Sequence, residues 1–142
     1  MAFDAFFLTA VLDEIREKAV DARVEKIHQP SRDTILIHLK CKNGREKLLF
    51  APNPAAPRLH LTASSPENPA QPPMFCMLLR KHLTGARLAD IRQEGFERVV
   101  TLEFDTRDEM GFACTRRIVA EIMGKYSNLI FTDGEGKFIS AL

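Results

Sequence analysis

Residues 34–50, TILIHLKCKNGREKLLF, decide the fold class that the sequence predicts. Their first half places apolar side chains at every second position, which is typical of a strand with one buried face. The pair Asn43-Gly44 favours a type I′ turn, and a second apolar run follows as far as Phe50. We therefore predict a β-hairpin here, within an antiparallel sheet.

A helix is predicted on either side of this hairpin. The first covers residues 4–20, with apolar residues at helical spacing and Asp4 as its N-cap. The second begins after Pro72-Pro73 and ends at Gly85. The predicted buried stripe of the second helix is Phe75, Leu78, Leu79 and Leu83.

A proline-rich connector precedes the second helix. Seven of the eight prolines fall between Pro52 and Pro73. Proline has no N–H to donate to a sheet, so most of this segment must be loop at one sheet edge. Only Arg58–Leu61 has the pattern of a short strand there.

Further strands are predicted around the second helix, and we find no internal repeat in the sequence. We expect one α+β domain over residues 1–142, an antiparallel β-sandwich or strongly curled sheet with two helices. Besides the hairpin and Arg58–Leu61, the predicted strands are Arg23–His28, Arg87–Glu94, Glu97–Asp105, Arg116–Met123, Asn128–Thr132 and Lys137–Leu142.

The composition limits the possible classes of function. The 142 residues suffice for one core, and a net charge of +1 gives no overall field to attract a polyanion. Three widely spaced cysteines argue against a disulfide framework or a zinc ribbon. No apolar run reaches the roughly 18 residues of a membrane span. We expect a cytoplasmic protein without a membrane partner, and the strand-like ending KFISAL suggests a fragment of a larger protein.

No catalytic or cofactor motif is found. Gly124-Lys125 fails as a phosphate loop, because Val119 and Tyr126 stand where that motif needs glycine and serine or threonine. The pair of His38 and Cys41 alone offers too few ligands for zinc. We therefore predict a binding protein and not an enzyme, with no cofactor and no metal site.

Residues 121–130, EIMGKYSNLI, are predicted to be two strands joined by a bend that glycine permits. One interpretation of this segment is purely structural. The other is that Lys125, Tyr126, Ser127 and Asn128 offer one charge and three hydrogen-bonding groups to a phosphate-sugar backbone. Both interpretations stay open from the residues alone.

Arg80 and Lys81 end the second helix, where cations interact favourably with the helix dipole. They are also candidates for an RNA-binding surface. Between Arg80 and Lys125, nine basic residues face eight acidic ones, so only clustering in three dimensions makes this surface basic. Glu121 is predicted to be half-buried and to need a cationic partner.

Four segments together resemble the NFACT family over essentially the whole chain and in the same order. They are MAFDAFFLTAVLDEI at the start, RVEKIHQP, PPMFCMLLRKHLTGARL and EIMGKYSNLI. Members of this family act in ribosome-associated quality control, and some are called fibronectin-binding protein A. The resemblance implies a fold similar to the N-terminal domain of formamidopyrimidine-DNA glycosylases.

The resemblance also implies a function. A full-length family member binds a large ribosomal subunit obstructed by peptidyl-tRNA and recruits tRNA for untemplated tailing of the stalled chain. The N-terminal domain is the part that engages tRNA. An Asp-Arg pair of the family corresponds here to Glu97-Arg98, of which Arg98 is suited to a bidentate phosphate contact and Glu97 to sugar or base donors.

Two alternatives remain at this stage. The name of some relatives suggests a surface adhesin that binds fibronectin. The fold likeness suggests a DNA glycosylase, but those enzymes use a proline after the initiator methionine as nucleophile. Here Ala2-Phe3 follow Met1, so that activity is not carried over.

Overall fold

The computed structural model describes residues 5–51, 58–63, 66–93, 98–122 and 128–142. Within these residues, two helices and nine strands follow one another. Their bounds are α1 (Ala5–Ala19), β1 (Arg23–Ser31), β2 (Thr34–Cys41), β3 (Gly44–Ala51), β4 (Arg58–Thr62), α2 (Met74–Leu83), β5 (Arg87–Gln93), β6 (Val99–Arg107), β7 (Ala113–Glu121), β8 (Asn128–Asp133) and β9 (Phe138–Ala141).

All nine strands form one sheet in the order β4-β3-β2-β1-β5-β6-β7-β8-β9. Every neighbouring pair is antiparallel. The two wings of the sheet, β1–β4 and β5–β9, meet at the junction of β1 and β5, where Arg23 lies opposite Arg87. The sheet is therefore two sets of sequential strands joined at one short seam.

The two wings face each other across a common core. Residues from β2, β3 and β4 line the same small apolar cavity as residues from β6, β7 and β8, so the sheet is strongly curled. Apolar area removed from water on both wings stabilises this arrangement by about 25 cal/mol per Å². The lining residues are Ile35, Ile37, Leu48, Phe50, Leu59, Leu102, Ile118, Ala120 and Leu129. The predicted α+β class, with two helices and a large antiparallel sheet, is confirmed.

Both helices bury one face against the sheet. In α1 the side chains of Leu12, Ile15 and Ala19 are buried completely. The buried residues of α2 are Phe75, Cys76, Leu79 and Leu83, whereas Leu78 is only partly buried. The predicted stripe of α2 therefore needs one correction: Cys76 takes a fully buried position, and its thiol donates a hydrogen bond to the Ile27 carbonyl (3.4 Å).

The hairpin of β2 and β3 is confirmed, but its predicted turn type is wrong. Cys41 lies opposite Gly44, so the loop consists of Lys42 and Asn43. A type I′ turn requires positive φ at both central residues. Positive φ occurs instead at Gly44 (136°), and neither loop residue has it.

An internal repeat relates the two wings, which the sequence reasoning missed. Residues 16–27, REKAVDARVEKI, match residues 80–91, RKHLTGARLADI. In both copies the helix is followed by a residue with positive φ, Asp21 (73°) or Gly85 (83°), and then by Ala-Arg at the start of a strand. The sequence signal is faint because only four of these positions are identical.

The two copies make reciprocal hydrogen bonds across the seam. The Asp21 N–H donates to the Leu88 carbonyl (2.7 Å), and the Gly85 N–H donates to the Val24 carbonyl (2.8 Å). The same reciprocity holds for the helices: Arg16 Nε donates to the Ile91 carbonyl (2.8 Å), as Arg80 Nε does to the Ile27 carbonyl (2.7 Å). Each helix is thus tied to the first strand of the other wing.

Candidate nucleic-acid interface

Four of the eight predicted RNA-contacting residues lie in the described part of the chain: Arg80, Lys81, Arg98 and Asn128. The other four lie outside the described residues: Glu97, Lys125, Tyr126 and Ser127. Asp4, Ala2 and Phe3 lie outside them as well. The geometry of the candidate interface therefore comes from the four described residues and their neighbours.

Arg98 and Asn128 lie at the same end of the sheet. The Arg98 carbonyl accepts a hydrogen bond from the Ile122 N–H (2.8 Å), directly after β7. Glu121, the last residue of β7, pairs with Val99 on one side and Asn128 on the other. We name this group, Arg98 with Glu121, Ile122 and Asn128, the Arg98 end.

The side chains of the Arg98 end are half-buried and partly engaged. Asn128 Oδ1 accepts a hydrogen bond from the Leu129 N–H (2.8 Å), which leaves its NH₂ group as a donor. Arg98, Glu121 and Asn128 are each of intermediate exposure. The arrangement places a guanidinium, a carboxylate and an amide at adjacent strand ends.

Arg80 and Lys81 lie at the opposite end of β6. That strand runs from Val99, beside Arg98, to Arg107, a length of about 26 Å at the usual rise per residue. Lys81 forms an exposed ion pair with Glu109, two residues beyond β6 (3.0 Å). The predicted RNA-contacting residues therefore fall into two separate places and not one.

Arg80 is turned towards the body of the domain. Besides its bond to the Ile27 carbonyl, its guanidinium lies 3.2 Å from His28 Nδ1. Arginine only donates, so His28 Nδ1 is the acceptor and the imidazole is neutral there. These contacts make Arg80 a tether between α2 and β1.

Lys81 borders a groove at the C-terminal end of α2, which we call the α2 groove. It has a volume of about 470 Å³ and is open to solvent. Its residues come from both wings of the sheet, with four cationic side chains and one carboxylate. They are Arg23, Lys81, His82, Thr84, Gly85, Arg87, Asp105, Thr106, Arg107 and Ala113.

The cations of the α2 groove differ in their partners. Arg87 bonds the carboxylates of Asp21 and Asp105, which raises the pKa of its guanidinium. Arg23 instead donates to the Gly85 carbonyl (3.2 Å), and Arg107 donates to the Gly111 carbonyl (2.9 Å). The charges of Arg23 and Arg107 are thus held by neutral acceptors in the described part of the chain.

Three histidines, His28, His38 and His82, have lowered pKa values. Burial, followed by the nearby positive charge of Arg80, lowers the pKa of His28. Burial also lowers the pKa of His38, whose ring meets that of His28 edge-on with centroids 5.1 Å apart. His82 packs on Phe131, and burial followed by Arg116 lowers its pKa.

The sequence reasoning missed Arg23, Arg87 and Arg107 as members of one basic groove. Arg23 and Arg87 occupy equivalent positions of the internal repeat, so recognising the repeat would have placed them opposite each other. No signal in the sequence brings Arg107 to them, because the register of β5 and β6 decides its position.

Among the residues that the structure describes, no group of three His, Cys, Asp or Glu side chains is placed to bind a metal ion. Neither helix has, over its described residues, the length and apolar character needed to cross a membrane.

A family model for the NFACT N-terminal and middle domains matches residues 4–142. The chain belongs to the NFACT family. Among curated relatives, the Rqc2 homolog RqcH of Bacillus subtilis is 41% identical over 133 residues, which are 94% of this chain and 23% of the relative. Human NEMF, named a ribosome quality control complex subunit, is 28% identical over 140 residues, 99% of this chain and 12% of NEMF.

Solved structures of NFACT relatives have the same fold. The N-terminal domain of fibronectin-binding protein PavA from Streptococcus pneumoniae superposes with a TM-score of 0.94 at 34% identity, covering 99% of this chain and 53% of that one. The fibrinogen-binding protein of Staphylococcus aureus gives a TM-score of 0.89 at 35% identity, covering 99% of this chain and 50% of that one. This NFACT chain spans about a quarter of the bacterial RqcH proteins it matches, between 23% and 26%.

Proposed function

We propose that this chain is the tRNA- and ribosome-binding domain of a ribosome-associated quality-control factor. In that role it binds large ribosomal subunits obstructed by peptidyl-tRNA and recruits tRNA for untemplated C-terminal tailing of the stalled chain. Membership of the NFACT family, with relatives named as ribosome quality-control factors, supports the proposal at the level of the pathway.

The observation that carries the RNA-binding part is the convergence at the Arg98 end. The Arg98 carbonyl bonds Ile122, and Asn128 begins the next strand, so one guanidinium and one amide donor lie at adjacent strand ends. Residues 123–127, which hold Lys125, Tyr126 and Ser127, connect these two strands in sequence. A guanidinium with neighbouring amide donors suits phosphate and sugar oxygens.

Copurification tests this function. Full-length protein purified from cells is expected to carry tRNA and large-subunit RNA, identified by sequencing. Arg98→Ala should reduce the retained tRNA, because a charge-assisted contact to phosphate is lost. Arg32→Ala, which removes an exposed cation from the β1–β2 turn, is the matched control and should retain tRNA as the wild type does.

The salt dependence of tRNA binding provides a second measurement. Removing one phosphate contact should lower the slope of log K against log salt by about 0.7 to 0.9. A wild-type protein that carries neither RNA, or an Arg98→Ala protein with unchanged tRNA content and salt slope, would contradict the proposal.

We also propose that the domain performs no covalent step. The terminal proline that serves glycosylases as nucleophile is replaced by Ala2-Phe3 in this sequence. Borohydride treatment of full-length protein with lesion-bearing DNA should therefore trap no adduct. A trapped adduct would establish a glycosylase.

A fibronectin-binding adhesin is the second candidate, favoured by the names of two structural relatives, PavA and the fibronectin/fibrinogen-binding protein of Streptococcus suis. Fractionation of intact cells separates the two candidates. A quality-control factor should sediment with large ribosomal subunits, whereas an adhesin should be found on the cell wall and bind immobilised fibronectin equally well with and without Arg98.

A further inference from the structure

The α2 groove has more positive charge than its carboxylates balance. Arg87 is shared between two carboxylates, and Lys81 is paired with Glu109 at the exposed rim. Arg23 and Arg107 each donate one N–H to a main-chain carbonyl, and a guanidinium has five N–H donors in all. An anion entering the groove therefore meets two arginines that still have donors to offer.

The C-terminal end of α2 opposes an anion, because the last carbonyls of a helix carry partial negative charge. In this structure two of those carbonyls already accept hydrogen bonds from threonine residues. The Arg80 carbonyl accepts from the N–H and the hydroxyl of Thr84 (3.2 and 2.7 Å), and the His82 carbonyl accepts from the Thr106 hydroxyl (3.3 Å). The guanidinium groups, which carry full charges, thus dominate the field inside the groove.

An exposed aromatic residue is adjacent in sequence to a residue that lines the α2 groove. Phe112 is 65% exposed and directly precedes Ala113, which lines the groove opposite Arg107. The loop that presents it is closed at both ends: the Phe112 N–H donates to Asp108 Oδ1 (3.0 Å), and the Asp108 N–H donates to the Phe112 carbonyl (2.9 Å). This closure fixes the Phe112 backbone before any ligand arrives.

The Asp108 carboxylate is hydrogen-bonded within its own loop. Its Oδ1 accepts hydrogen bonds from the N–H groups of Met110 (2.9 Å) and Phe112 (3.0 Å) within its own loop. The Asp108 carboxylate therefore faces the main chain of this loop, whereas the Phe112 side chain is exposed.

The internal repeat shows that the scaffold does not require this basic groove. Positions that hold the two wings together are the same in both copies, as for Arg16 and Arg80. Two positions that line the groove differ between the copies: Glu17 stands where the second copy has Lys81, and Asp21 stands where it has Gly85. Arg23 and Arg87, which also line the groove, are identical in the two copies. The second copy thus combines positive charge with open space at the C-terminal end of α2.

We infer that the α2 groove binds a single-stranded segment of RNA, with phosphates between Arg23 and Arg107 and one base stacked on Phe112. Stacking on an aromatic side chain together with a cationic channel is how proteins hold single strands without reading a fixed sequence. This inference rests on the proposed function, and it adds a contact at the opposite end of β6 from Arg98.

Binding of a labelled oligouridylate of eight residues to the full-length protein tests the inference. Phe112→Ala should weaken binding about five- to a hundredfold, the range measured for loss of one stacked base. Arg107→Gln should weaken it several-fold and lower the salt slope by about 0.7, as expected for one lost contact to a single strand.

Each variant has a matched control. Phe138→Ala removes a ring of nearly equal exposure, 63%, from the edge strand β9, and Arg32→Gln removes a cation from the β1–β2 turn. Both controls should bind within about twofold of wild type, as exposed positions outside a binding site usually do. Crosslinking of 4-thiouridine oligonucleotides should label the peptide that contains Phe112.

The outcomes separate this inference from the proposed function. If Arg98→Ala loses tRNA while Phe112→Ala and Arg107→Gln bind as their controls do, the α2 groove is not an RNA site and the proposed function stands. If the groove variants lose an acidic protein partner and keep RNA binding, the inference is wrong as well. Selective loss at Phe112 and Arg107, with the crosslink at Phe112, supports it.

Discussion

The two wings of the sheet are built on the same plan but differ in what they expose. In both, an arginine of the helix reaches a carbonyl of the other wing, and Ala-Arg opens the first strand. Only the α2 side adds an open basic groove and an exposed phenylalanine within the described residues. The comparison separates residues that maintain the fold from residues that are left for a ligand.

The largest effects should come from the buried helix positions that the wings share. Ile15 and Leu79 are equivalent in the repeat and fully buried. Ile15→Ala and Leu79→Ala should each lower the free energy of unfolding by about 2–5 kcal/mol, since each leaves a cavity in one common core. Denaturant titration measures both values.

Met77→Ala is the control for these core variants, because Met77 lies on α2 but is 54% exposed. It should change the free energy of unfolding by less than about 0.5 kcal/mol. Separate unfolding transitions for the Ile15 and Leu79 variants would show that the wings are independent units, and would break the comparison.

The tethering arginines should show the next largest effect, and an unequal one. Arg80→Met removes the bonds to the Ile27 carbonyl and to His28, whereas Arg16→Met removes the bond to the Ile91 carbonyl and an exposed ion pair with Asp13. We expect losses of about 1–3 kcal/mol, larger for Arg80.

Chemical denaturation of both arginine variants, with Lys81→Met as the control, provides the measurement. The contact of Lys81 within the described residues is an exposed ion pair, so its replacement should cost about 0–1 kcal/mol. An Arg80→Met protein as stable as wild type would show that Arg80 is no tether and belongs with the ligand-binding residues.

The third prediction concerns Gly85, which has positive φ as its equivalent in the first wing, Asp21, does. Gly85→Ala should cost about 1–2 kcal/mol through backbone strain alone, because nothing lies within 4 Å of the added Cβ. Gly85→Asn should cost less, since asparagine tolerates this conformation. Thermal melting of both variants measures these costs. A Gly85→Ala protein as stable as wild type would contradict backbone strain at this position.

The smallest effect we expect is a pH dependence to which His28, at the contact of the first wing with α2, contributes. The pKa of His28 is lowered in the folded state, so the unfolded chain takes up a proton first. Stability should be complete above pH 6.5, the ordinary histidine value, and fall as the pH decreases below it.

His28→Gln should reduce that loss, measured by urea titrations at pH 7.5 and 5.5. The equivalent residue of the second wing is Arg92, so Arg92→Gln is the control and should leave the pH dependence as it is. A steeper loss in His28→Gln would mean that another group governs the acid response. Carboxylates with lowered pKa, such as Glu109, contribute only at more acidic pH.

The sequence predicted the helices and strands well, because alternation and proline placement are local signals. The same locality explains the misses. The turn at Lys42-Asn43 lies one residue before the predicted pair Asn43-Gly44 and has another geometry. Cys76 is buried because α2 packs on Ile27, which no local pattern reveals. The sequence proposed Arg80 and Lys81, at the end of the second helix, as RNA-binding candidates alongside Arg98, but the packing of α2 places Lys81 beside Glu109, at the opposite end of β6 from Arg98.

The α2 groove spans the seam between β1 and β5, so a ligand bound there affects how the two wings are held together. Arg23 belongs to one wing, while Arg87 and Arg107 belong to the other, so whatever occupies the groove touches both. A ligand bound in the groove would therefore hold the two wings together across their short junction. We expect the melting temperature to rise with the logarithm of the ligand concentration. The reason is that the unfolded chain has no groove and cannot bind the ligand.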